Sequence, residues 1–260
     1  MPTETELKFS LTHDEVPSPS ELAAGFEAVG LRLGPVRHTV VKDRYYDDAR
    51  LSLARAGLAL RRRMVEGELL ATLKTLGEID GALHRREELE LPLAEDADPW
   101  NPWPDEIAER VRVVTDPRSL RGTIELTTSR TLVDVREGER TVAVASFDDV
   151  EARRGSGGRT AHWNELEIER PQEGEDDDAA APDAAQAALE RAADGFRAVL
   201  ALVPASSTKL ERARALLMLG AALDDEATAD DAGGSGRDGG GDGGGDGDGA
   251  SGDGREGTSS

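Results

Sequence analysis

The sequence predicts an α+β fold: a closed antiparallel β-barrel of eight strands with flanking helices. About eight segments show strand-like alternation or enrichment in β-branched and aromatic residues, and most are joined by short turn signals. Helical patterns fall between and after these strands rather than in strict alternation with them. The polar faces of successive strands carry charge at every second residue, which fits a barrel with a polar interior. Eight strands enclose enough space for a small ligand.

The first strand, MPTETELKFS, puts Glu4, Glu6 and Lys8 on one face and Leu7 and Phe9 on the other. Alone it reads first as a half-exposed edge strand with solvated charges, and one wall of a charged site is the sharper alternative. Ser18-Pro19-Ser20-Glu21 has capping-box spacing and opens a short helix that Gly30 can end. A strand then runs to Asp47-Asp48, followed by one or two helical turns closed by Gly57. A hairpin around Glu66-Gly67 sets Arg61 and Arg63 on one face of its first strand, and Thr72 and Lys74 on one face of its second. In the next strand Arg86, Glu88 and Glu90 share a face. A Pro/Trp-rich loop leads to a helix from about Pro104 to Val113. Two long strands turn at Glu137-Gly138-Glu139, and in the strand after them Glu165, Glu167 and Glu169 alternate with Leu166 and Ile168. Residues 183–203 read as an amphipathic helix with Leu189, Phe196, Val199 and Leu200 on its stripe, and a second helix follows Pro204. Tyr45 and Tyr46 read as packing residues, Trp100, Trp103 and Trp163 as loop anchors, and Arg62 and Arg85 as solvated.

Of the net charge of −22, residues 221–260 contribute −9 and residues 173–183 contribute −6, which leaves −7 for the rest. Residues 221–260 are Gly/Asp-rich with no large apolar side chain after Leu223, so they are expected to be a disordered tail behind a folded domain of residues 1–220. The acidic balance argues against a nucleic-acid partner. The absence of cysteine excludes disulfides and thiolate metal sites. No apolar run approaches membrane-span length and the N-terminus is polar, so a cytoplasmic protein with no membrane partner is expected.

Gathered by face, acids come from Glu4, Glu6, Glu88, Glu90, Asp148, Glu165, Glu167 and Glu169, and bases from Lys8, Arg61, Arg63, Lys74, Arg86 and Arg130. An exterior laced with cross-strand ion pairs would give the same alternation, but its recurrence on five or more strands favours a charged lumen. Arginine and lysine supply donors for phosphate oxygens. Clustered carboxylates without cysteine select a hard divalent cation, Mg²⁺ or Mn²⁺. Together they are the apparatus of phosphoryl chemistry.

These residues resemble the CYTH domain, or triphosphate tunnel metalloenzyme, family. ETELK at 4–8 matches its ExExK signature. YYDD at 45–48, LRRR at 60–63, TLK at 72–74, RREELE at 85–90, Arg130, DDV at 148–150, ELEIE at 165–169 and STKLERA at 207–213 follow in order. The resemblance implies an eight-stranded tunnel that binds a triphosphate-containing small molecule. It implies that Arg61, Arg63, Lys74, Arg86, Arg130 and Lys209, with Lys8, grip phosphates. Glu4, Glu6, Glu165 and Glu167, with Asp148, would hold metal or orient water, and Glu88, Glu90 and Glu169 would line the tunnel. Glu4, Glu6 and Lys8 are the expected catalytic set. Two positions depart from the pattern: Thr128 stands where relatives often have a lysine, and Thr208 where they often have a serine before Lys209. The implied activity is a metal-dependent triphosphatase acting on tripolyphosphate or an organic triphosphate. A class IV-type adenylate cyclase and a non-catalytic polyphosphate-binding module are the alternatives.

Overall fold

The structure, a computed structural model, describes residues 3–12, 18–93, 103–155, 158–171 and 182–218. The Gly/Asp-rich tail, most of the acidic stretch near residue 175, and Trp100 lie outside the described residues. In chain order the elements are β1 (Thr3–Leu11), α1 (Pro19–Ala28), β2 (Arg32–Asp47), α2 (Ser52–Arg55), β3 (Leu58–Val65) and β4 (Glu68–Thr75). There follow β5 (Glu78–Asp80), β6 (Leu83–Pro92), α3 (Asp105–Arg112), β7 (Arg121–Glu137), β8 (Arg140–Arg153), β9 (Thr160–Glu169), α4 (Pro182–Arg197) and β10 (Leu202–Pro204). A last helix, α5, spans residues 209–218.

Antiparallel pairing runs β1-β9-β8-β7-β2-β3-β4-β6, and β6 pairs back onto β1. This closes the predicted eight-stranded barrel and leaves no open edge among these strands. Closure rests on β1, which pairs with β6 through Thr3–Leu7 and with β9 through Glu6–Ser10. The β3–β4 turn uses Glu66 (φ 51°) and Gly67 (φ 85°), the left-handed pair that a two-residue hairpin requires.

Alternation along β1 sends Leu7 and Phe9 outward, where they join Phe147, Leu166 and Ile168 beneath α1 and α4. Phe196 of α4 packs edge-on against Phe26 of α1 at 4.7 Å and against Phe147 at 5.6 Å. Gly25 permits this approach, because a Cβ there would stand 2.6 Å from the Gly195 carbonyl oxygen. A second apolar layer places Ile107 and Val111 of α3 and Trp103 over Leu60, Leu73 and Leu89. The third layer is internal. Tyr45, Leu126, Val150, Ala152 and Trp163 pack with Leu210, Ala213 and Leu217 of α5. Val150 and Ala152 share a strand face with Asp148, and Trp163 shares one with Glu165. Helix α5 therefore stoppers one end of the barrel.

Four expectations need correction. The helix predicted over 183–203 stops at Arg197, and Val199 is exposed. Leu202–Pro204 instead pair with Phe9–Leu11 of β1, a tertiary contact that overrides the helical pattern. The short β5 strand, paired with β6, was not expected. Trp163 anchors no loop: it lies within β9, buried, with its indole N–H donating to Glu165 at 2.7 Å. Arg62 does face away from Arg61, but it is buried, because that outer face lies under Trp103. Its guanidinium stacks 4.9 Å from the Trp103 ring and 5.4 Å from that of Tyr46. Arg85 is exposed, as expected, and bonds Gln186. Asp47 and Asp48 of the YYDD segment fasten α2: Asp47 accepts from the Leu53 and Ala54 amides, and Asp48 from the Ser52 amide.

Candidate functional site

The inward faces of the barrel strands converge on a cavity of about 120 Å³. Lys8, Arg61, Arg63, Lys74, Arg86, Arg130 and Lys209 all line it, as do Glu4, Glu6, Glu167 and Glu169. The other predicted carboxylates bond to residues that line it: Glu88 to Lys74 at 2.6 Å, Asp148 to Arg130 at 2.6 Å, and Glu165 to Lys209 at 2.7 Å. Glu90 accepts from the Thr72 hydroxyl at 2.8 Å and lies 4.0 Å from Arg61. Lys209 reaches the lumen from the first turn of α5. That turn is fixed by Thr208 and Glu211, each of whose side chains accepts from the other's backbone amide.

The carboxylates separate into two groups, Glu4–Glu6–Glu169 and Asp148–Glu165–Glu167, with ligand-capable atoms in each within 4.8 Å of one another. Lys209 sits in the second group, its Nζ 2.9 Å from Asp148, 2.7 Å from Glu165 and 2.6 Å from Glu167. Lys8, almost wholly buried, adds a 2.6 Å contact to Glu167. Burial alone would raise the Glu167 pKa; Lys209, Lys8 and Arg130 override it and hold the carboxyl well below its usual range. Burial likewise works against the charge on Lys209, and Asp148, Glu165 and Glu167 hold its pKa well above normal.

The first group is less compensated. Arg86 donates from Nε to Glu4 at 2.8 Å, and its Nη2 lies 2.9 Å from Glu6 Oε1. Lys74 donates to Glu4 at 3.0 Å. Burial opposes ionisation of Glu4, but Lys74 and Arg86 outweigh it and depress the pKa. Among the described residues no ion pair reaches Glu169. Burial and then the Glu167 charge push its carboxyl up to about 7. Glu6 Oε1 and Glu165 Oε1 are buried and held by charge contact alone, 2.9 Å from Arg86 and 2.7 Å from Lys209, without hydrogen-bond geometry. Hard oxygen donors grouped in threes, one of them a carboxylate that no ion pair reaches among the described residues, fit a divalent cation.

The CYTH domain pattern matches residues 2–193. The chain belongs to the CYTH domain family. Among solved structures it is similar to HpAC1 from Hippeastrum, an adenylyl cyclase candidate with a dominant triphosphatase activity, at 17% identity and a TM-score of 0.51. That likeness covers 82% of this chain and 95% of the other. A Bacillus halodurans protein assigned as an adenylate cyclase aligns at 18% identity over 82% and 98% of the two chains, with a TM-score of 0.49. The Pyrococcus horikoshii protein PH1819 aligns at 20% identity over 84% and 98%, with a TM-score of 0.48. A search of curated proteins finds no significant match.

Two features of this CYTH domain's lumen went unread in its sequence. Glu169, expected only to line the tunnel, joins Glu4 and Glu6 because Glu6 and Glu169 are cross-strand partners. Asp43 on β2 is buried, and its carboxylate accepts from Arg63 Nε at 2.9 Å and Nη2 at 3.0 Å. Its signal was available: Asp43 shares a strand face with Tyr45, and Tyr45 turns inward. Thr128 is buried between the cross-strand partners Val41 and Val150, and a side chain of its size brings no cation into the lumen.

Proposed function

We propose that this protein is a metal-dependent triphosphatase that hydrolyses inorganic tripolyphosphate or an organic triphosphate within the barrel. The observation that carries this reading is the convergence on one cavity of eight basic side chains, Arg214 being the eighth, with the Glu4–Glu6–Glu169 group and Glu167 of the second group. The dominant triphosphatase activity of the similarly folded Hippeastrum protein supports it.

Arg61, Arg63, Lys74, Arg86 and Arg130 donate to the phosphate oxygens and spread the triphosphate charge along the lumen. Lys8 and Lys209 neutralise the carboxylates between which they stand and add donors at the phosphate chain. Glu4, Glu6 and Glu169 would hold Mg²⁺ or Mn²⁺, with Asp148, Glu165 and Glu167 as the second candidate group. The ion supplies charge neutralisation at the phosphoryl oxygens. A carboxylate of the first group orients water in line with the terminal phosphorus, so that positioning and electrostatics carry the rate. The cavity occupies the barrel interior, which limits water around the reacting groups and strengthens each of these contacts.

One observation favours a second reading. The cavity wall also carries Tyr45, Ala54, Leu58, Leu76 and Leu210, an apolar surface suited to a nucleobase. An adenylate cyclase would use the same cradle, with the ribose 3′-hydroxyl as nucleophile. A product-resolved panel of tripolyphosphate, ATP and thiamine triphosphate with Mg²⁺ or Mn²⁺ separates the readings. Orthophosphate release supports the triphosphatase, cyclic AMP with pyrophosphate the cyclase, and tight binding without product a binding module.

A further inference from the structure

We infer that Asp43 is a positioning residue for the phosphate cradle, setting the aim of Arg61 and Arg63; the inference rests on the triphosphate-binding reading above. Strand β2 lies beside β3, and Asp43 is the cross-strand partner of Arg63. One oxygen accepts from Arg63 Nε at 2.9 Å; the other accepts from Arg63 Nη2 at 3.0 Å and from Arg61 Nη1 at 3.4 Å. Two parallel bonds fix the plane of the Arg63 guanidinium as well as its position.

Asp43 stands apart from the other lumen carboxylates. It belongs to neither of the two carboxylate groups. The strongest charges acting on it are those of Arg61, Arg63 and Lys74. Although Asp43 is only 3% exposed, these cations outweigh the cost of burial, and it stays ionised. A fixed anion in that place does two things. It offsets repulsion between guanidiniums that would otherwise splay apart, and it leaves their outer donors directed to the cavity. Arg61 shows the second effect. It is 4% exposed and lines the cavity, yet its Nε and Nη2 have no hydrogen-bond partner among the described residues; Nη2 lies 3.6 Å from Glu88. Buried unsatisfied donors of this kind call for an anionic oxygen.

The sign of the effect separates this role from a simple electrostatic one. If Asp43 merely competed with phosphate for the arginines, removing its charge would tighten binding. If it aims them, removing it weakens binding despite the gain in positive charge.

The test is tripolyphosphate affinity by calorimetry in EDTA, which reports the basic cradle without turnover. It is paired with KM and kcat for tripolyphosphate in Mn²⁺. Asp43→Asn is expected to raise Kd and KM about tenfold, the scale of losing an orienting partner, with kcat within about twofold. In the Arg63→Gln background the same change is expected to shift Kd twofold or less, because its main partner is gone. Should Asp43→Asn alone fail to fold, the comparison of Asp43→Asn/Arg63→Gln with Arg63→Gln carries the test, since that pair removes both charges. Unchanged or tighter binding by Asp43→Asn, or an equal loss in both backgrounds, overturns the inference. Absence of tripolyphosphate binding by the wild-type protein would instead overturn the reading it rests on.

Discussion

Glu169 shows how much a single side chain here depends on neighbours distant in sequence. Its folded-state pKa of about 7 lies above the ordinary 4.5 because it is buried beside Glu167, with no ion pair reaching it among the described residues. The folded protein therefore binds this proton more tightly than the unfolded chain. Stability is full for this group below about pH 4.5 and falls as pH rises through 7. The limit of that loss is about 3 kcal/mol, from the size of the shift. Glu169→Gln in EDTA should accordingly raise Tm more at pH 8 than at pH 5. Calorimetric scans at the two pH values check this, and an equal change at both would refute the assignment. Asp43→Asn is the matching prediction on the basic wall, with weaker tripolyphosphate binding as its signature. Strand periodicity was enough to put Glu4, Glu6, Lys8, Arg61 and Arg63 in the lumen, because each alternates with apolar partners such as Leu7, Phe9 and Leu60. It did not show that Glu169 would meet Glu4 and Glu6, since that depends on the register of β1 against β9.

At the scale of elements, helices inside and outside the barrel have different consequences. Helix α4 lies on the outer wall, where Phe196 is fully buried between Phe26 and Phe147. Phe196→Ala should cost about 3–5 kcal/mol and lower the urea midpoint, while KM for tripolyphosphate in the folded fraction stays at the wild-type value. A KM change would mean that the outer layer reaches the cradle. Helix α5 plugs the barrel and carries Lys209 on its first turn, so loosening it disturbs stability and site together. The sequence indicated a helix after Pro204, but not that the partner of its Leu210–Ala213–Leu217 face is the barrel interior. The same limit explains the β10 correction. Val199, Leu200 and Leu202 continue the apolar pattern of α4, and only the pairing with β1 shows where the helix must stop.

For the whole molecule, closure of β6 onto β1 turns a set of alternating charged strands into a lumen. Its price is a dense set of buried ions, each costly unless paired. Triphosphate and metal would complete that pairing from outside the chain. Saturating tripolyphosphate with Mn²⁺ should therefore raise Tm by several degrees, because ligand at about 100 times Kd stabilises the folded state by about 2.7 kcal/mol. A thermal shift no larger than that given by salt of equal ionic strength would count against a built site. The eight-stranded barrel and most of its charged faces were legible because strand alternation is a local property. Which acids group together, and which cation stands in each group, was not, because both follow from closure. Whether the lumen hydrolyses a triphosphate with metal is decided by phosphate release from tripolyphosphate in Mg²⁺ or Mn²⁺, comparing the wild-type protein with Glu6→Gln. The predicted result is metal-dependent release by the wild type, abolished by EDTA and lost by at least about a hundredfold in Glu6→Gln. Hydrolysis by Glu6→Gln at the wild-type rate, or undiminished hydrolysis in EDTA, would contradict it.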